Sequence, residues 1–203
     1  MVDRVDEFWR WFAMHEQQVR DSYESQNTDW LDGELSRRVA RIARGTNWEI
    51  GPYSLPDTTL VLSPPTRKEL PALKAAVARA PEVPGWRFMA CKRPKELLSL
   101  TFELANVSIN AESWVYRMTA YNEGEFVDLE MFFEPPAAPP PGKEDTLCEL
   151  VVEALVGEEL RLDRIGIITR VSVPSVRAIE HTTAIKHLRP HLMSVLGPSA
   201  ARV

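Results

Sequence analysis

Four histidines are the first place to look for chemistry, because imidazole is the side chain best suited to acid–base work or zinc binding near neutral pH. His187 and His191 stand in an H-x3-H spacing, which can set two imidazoles on one helix face for zinc. His181 or Glu180 are the nearest candidates for a third ligand. Pro190 lies between the pair and opposes a regular helix there, and no H-E-x-x-H accompanies them. His15 falls on the apolar arc of the first amphipathic segment and reads as a partly buried, hydrogen-bonded histidine rather than a ligand or base.

Asp128 and Glu130 share the outward face of one strand, facing Arg117 and Thr119 across a hairpin. Cross-strand charge pairing accounts for them without catalysis, since acid–base work by paired carboxylates needs burial. Glu158, Glu159, Arg161, Asp163 and Arg164 form a charged connection between a helix and a strand. Two basic groups, Arg37/Arg41/Arg44 and Lys92/Arg93/Lys95, suit a phosphate or an acidic partner. They read more simply as solvated surface. Cys91 borders two cations that would lower its pKa, but no histidine is adjacent in sequence. Cys148 borders the apolar arc of its helix and reads as core or boundary. The two cysteines fit no zinc or redox spacing, and there is no Gly-rich phosphate loop, nucleophile elbow or dinucleotide fingerprint. The sequence therefore predicts no catalytic, cofactor-binding or metal-ligating residue and no cofactor.

The elements that would position these side chains follow from periodicity. Residues 3–21 form an amphipathic helix, with Val5, Phe8, Trp11, Phe12 and Val19 on one arc and Trp9 at its edge, partly exposed. A second helix spans 29–44, with Asp29 as N-cap and Gly45 as terminator. Short strands at 48–50 and 58–62 precede a helix at 66–80, where Thr66 and Glu69 are spaced as a capping box and Pro71 belongs in the first turn. Strands follow at 86–90 and 98–104, then a hairpin of 114–121 and 126–133. Residues 135–142, with five prolines, predict a stiff extended linker. A helix at 144–156, capped by Thr146 and Glu149 and ended by Gly157, leads to a strand at 165–168. The tail is partly helical and broken at Pro190.

This order predicts an α+β fold: one mostly antiparallel sheet with helices packed on one face and an N-terminal helical hairpin. A ferredoxin-like core is one arrangement it allows. The 203 residues predict a single domain (1–203): the hairpin at 1–45, the main sheet region at 46–134, the linker at 135–142, and 143–203 packed on the same core. Hydrophobic content of 44% and charged content of 26% support an ordinary core. A net charge of −5 argues against nucleic acid as a partner, because phosphate binding needs surplus basic surface. The start has no apolar signal-peptide core, and no run of 18 apolar residues exists. The expectations are a cytoplasmic location and no membrane partner.

Several landmarks stand in order: Phe8-Trp9-Arg10-Trp11-Phe12, Trp48-Glu49-Ile50-Gly51, Thr59-Leu60-Val61-Leu62-Ser63, Ala80-Pro81 ahead of Trp86, and Leu155-Val156-Gly157-Glu158. Together they resemble a group of bacterial cytosolic α+β proteins to which no activity is assigned. The likeness covers most of the chain except the carboxyl-terminal tail. It implies no functional residue. The expectation is a non-enzymatic binding or regulatory protein whose partner is another protein or a second copy. An enzyme with a dispersed site, hydrolase-like and acting on a small molecule, is the alternative. A third reading is an immunity-type inhibitor of a toxin.

Overall fold

A computed structural model describes residues 3–197 except 55–56, 96–98, 105–106 and 136. Backbone packing divides the chain into two compact units, one ending at Lys92 and the other beginning at Arg93. The fold is α+β. No helix among the described residues is long and apolar enough to cross a membrane.

The first unit opens with α1 (Arg4–Glu24), where the Asp3 carboxylate accepts from the Val5 amide at 2.9 Å and so caps the first turn. Its apolar stripe meets α2 (Thr28–Ile42), which buries Leu31, Leu35 and Val39. Asn27, not Asp29, holds the N-cap position, and the helix ends three residues ahead of Gly45. Strand β1 (Asn47–Ser54) pairs antiparallel with β2 (Asp57–Ser63), and β2 pairs parallel with β3 (Trp86–Ala90). A parallel neighbour requires a crossover, supplied by α3 (Leu70–Val77) with Pro71 in its first turn. The helix starts later than the predicted position 66. Residues 66–70 close i→i+3 turns (Glu69 to Thr66 at 3.2 Å, Leu70 to Arg67 at 3.3 Å), and Thr66 bonds the Glu69 carboxylate there instead of forming a helix cap.

Trp9 corrects the expectation of partial exposure. It is only 3% exposed, because α3 and β3 close over the edge of the α1 arc. Its indole N–H donates to the Ala76 carbonyl at 2.8 Å, and its ring meets Phe88 edge-on at 4.7 Å. Trp86 and Trp48 likewise send their N–H groups to Glu16 and Ser36.

The described residues of the second unit form six strands in two sheets. Strands β4 (Thr101–Leu104) and β5 (Val107–Asn110) form an antiparallel pair; of the strand predicted at 98–104, residue 98 lies outside those described, and Ser99 and Leu100 precede the strand. The larger sheet contains β6 (Val115–Tyr121), β7 (Phe126–Phe133), β8 (Ile165–Ser172) and β9 (Thr183–Ala184), in the order β8-β7-β6-β9. The β7–β8 pair is parallel and the others are antiparallel. Where the element order had suggested one sheet, the described strands are distributed over three. The crossover from β7 to β8 runs through α4 (Glu144–Val156) and α5 (Glu158–Arg164), separated by Gly157 at φ +89°. No side chain caps α4: Glu149 instead clamps Arg161 of α5 through two bonds of 2.5 and 2.6 Å.

Tyr116, Leu129 and Met131 of the sheet share one buried cluster with Leu147 and Val151 of α4 and with Leu188 and Leu192 of α6 (Leu188–Leu196). Pro190 does not break α6. It sits in the first turn, where a missing N–H leaves no intrahelical bond unmade. Nor is the proline-rich stretch a free linker: Pro139 is buried, and the Trp114 indole donates to the Ala137 carbonyl at 2.7 Å.

Candidate functional site

The outward face and open edge of the four-stranded sheet carry a group of charged and exposed side chains. Along β6 and β7 the pleat alternates, so Arg117 lies opposite Glu130 and Thr119 opposite Asp128, as the sequence predicts. Arg117 pairs with Glu130 at 3.2 Å, lies over the Phe132 ring at 5.5 Å, and donates to the Glu180 carbonyl at 3.2 Å. Asp128 does something different: its carboxylate accepts from the Ile167 amide of β8 at 2.8 Å. This bond sits at a bulge. Between the partners Val127↔Ile165 and Leu129↔Ile168, β8 spends one residue more than β7. Gly166 makes room for it, since a Cβ there would lie 2.5 Å from Asp128 Oδ1. Asp128 is thus engaged in holding backbone.

Two of the three large hydrophobic side chains most exposed in the described chain flank Asp128: Ile167 at 67% and Tyr121 at 48%. The negative charge of Asp128, joined by partial burial and by Glu130, holds the Tyr121 phenol above its ordinary pKa. Beyond the bulge, Ile168 to Ser172 run in one-to-one register with Leu129 to Phe133. Among the described residues β8 is the terminal strand of its sheet and pairs with β7 alone, and Gly166, Ile167, Thr169, Arg170 and Ser172 are exposed. Its carboxyl end opens on a groove of about 610 Å³ walled by Phe133 and Pro139–Pro141, with Arg170 and Glu144 at its rim. Arg170 is ion-paired to Asp145.

The remaining sequence candidates are dispersed. His15 belongs to the first unit, where its Nδ1 lies 2.9 Å from the Trp11 carbonyl and its ring stacks on Trp11. His191 Nδ1 shares a 2.8 Å hydrogen bond with the Tyr116 hydroxyl, whereas His181 and His187 are exposed. Among the described residues no three His, Cys, Asp or Glu side chains are placed to hold a metal ion. Cys91 and Cys148 are buried, and burial pushes the Cys148 thiol up to about 12, far from thiolate reactivity. Arg37 is held by Glu34 and Arg41 by Glu7; Arg44 is exposed. Lys92 reaches Glu49 at 3.8 Å, and the Lys95 amide donates to the Ala154 carbonyl. Glu158 is buried, and Arg164 pairs with Asp163 at 2.9 Å.

Sequence reasoning placed Asp128, Glu130, Arg117 and Thr119 on one face as charge pairing without function, and it did not single out Tyr121, Ile167 or the open edge. The available signal was Gly166 inside an apolar strand, a mark of bulges or close backbone approach. No protein-family model, curated protein or solved structure matches the chain.

Proposed function

We propose that this chain is a protein-binding module that captures an extended segment of another polypeptide at the open edge of β8. One observation carries the reading: β8 presents a straight stretch, Ile168 to Ser172, that pairs with β7 alone among the described residues and exposes Thr169, Arg170 and Ser172. Unpaired N–H and C=O groups along a strand edge are a template for another strand, and main-chain bonds supply affinity in such complexes. The adjoining groove and the exposed Ile167 offer apolar contacts next to those bonds.

A random peptide library displayed on phage and selected on the intact protein tests this. Binders should slow amide exchange at Ile168–Ser172. Their affinity should collapse when alternate peptide amides are N-methylated and weaken when Ile167→Ser removes the exposed side chain. Binders that leave β8 exchange unchanged, or that tolerate N-methylation at every position, would refute strand capture.

A further inference from the structure

We propose further that the segment captured at β8 is basic, an inference that rests on strand capture and adds the partner's charge. From Ser113 to Gly142 the chain carries five acids, Glu123, Glu125, Asp128, Glu130 and Glu134, against the single base Arg117. That base is already committed to Glu130. Of the cations on or beside β8, Arg170 is paired with Asp145 and Arg164 with Asp163, and Arg177 beyond its carboxyl end is exposed. Glu134 is engaged with the Val176 amide at 2.7 Å, and Asp128 with the Ile167 amide. Glu123 and Glu125 are exposed at the β6–β7 turn, with no ion pair among the described residues. Asp128, with burial and Glu130 adding to it, also holds the neighbouring Tyr121 phenol above its ordinary range.

The geometry converts this field into a preference. A strand added beside β8 lies two strand spacings, about 10 Å, from β7, close to one Debye length at physiological salt. Lysine or arginine on its outer face shortens that gap by reaching across β8, and the aliphatic stem covers Ile167 while the charged head approaches Glu130 and Asp128. Acidic residues at the same positions meet like charge. The surface therefore fits a β-forming segment with basic residues at alternate positions.

Fluorescence anisotropy with short labelled Lys–Val, Thr–Val and Glu–Val alternating peptides, paired with amide exchange at β8, tests the inference. The expected order is Lys–Val tightest and Glu–Val weakest, spanning about tenfold or more at low salt and narrowing as salt rises. The triple change Glu123→Gln, Glu125→Gln and Glu130→Gln should erase the order. Glu24→Gln, Asp32→Asn and Glu82→Gln, exposed acids of the first unit, should leave it intact. Equal binding of all three peptides with β8 amides protected would overturn the charge preference and leave strand capture standing. An order lost in the first-unit triple but kept in the other would also overturn it. Absence of β8 protection with every peptide would overturn both readings.

Discussion

At the scale of single residues, Asp128 shows how a side chain that looks like chemistry becomes architecture. A carboxylate on an outward strand face is ordinarily solvated, yet this one bonds the amide that the β8 bulge would otherwise leave unpaired. Its dependence on Gly166 is testable. Gly166→Ala places a methyl 2.5 Å from Oδ1, so the carboxylate must leave the Ile167 amide. The expected cost is about 1–3 kcal/mol of stability by denaturant unfolding, from overpacking and the lost charge-assisted bond. In the Asp128→Ala background the same change should cost less than it does alone. An additive pair would mean that the two residues do not act through each other.

At the scale of elements, the register of β6 and β7, the crossover helix α3 with its early proline, and the span of α4 were legible from periodicity and turn chemistry. Those signals are local. Trp9 was misjudged because the covering groups, Ala76 and Phe88, lie far along the chain and no helical wheel contains them. Pro190 was misjudged because its effect depends on whether it stands in the first turn or later, which only the helix start decides. The exposed edge of β8 was invisible for a related reason: an apolar run such as Ile165-Gly166-Ile167-Ile168 suits a central strand as well as an outer one.

The seat of α6 on β6 carries a prediction of its own. Burial pushes the Tyr116 hydroxyl up to about 12, with a bond to Thr183 lowering it in part, and burial pushes Cys148 up to about 12 as well. Both groups are held protonated in the folded chain. Unfolded tyrosine ionises near pH 10 and cysteine near 8.5. Their contribution is therefore complete below those values and is lost as pH rises towards 12. For Tyr116 alone this amounts to on the order of 2–3 kcal/mol. Thermal melts taken at increasing pH above about 8.5 should show a steep fall that Tyr116→Phe with Cys148→Ala flattens. An unchanged slope would assign the alkaline loss to other groups.

At the scale of the whole molecule, the two units repeat one plan. In each, an antiparallel pair (β1–β2, β6–β7) is followed by a helical crossover to a parallel third strand (β3, β8). Each also has its own main apolar cluster, built around Trp9, Phe12 and Trp86 in the first unit and around Trp114, Tyr116 and Leu147 in the second. Separate clusters predict separable stability. Trp9→Ala should cost about 3–5 kcal/mol in the first unit. Amide exchange should then accelerate across α1 and β1–β3 while β6–β8 keep their protection. Equal acceleration in both units would show a single cooperative block.

The bulge in β8 has one more consequence, for solubility. A long, flat, unpaired strand recruits copies of itself and grows into fibrils, and natural sheets interrupt such edges with bulges and charge. Gly166 and Ile167 interrupt this one at its amino end, leaving only the five residues from Ile168 to Ser172 in straight register. The glycine that admits Asp128 therefore also shortens the regular part of an open edge, and Gly166→Ala is expected to raise light scattering on prolonged incubation if that shortening limits self-association.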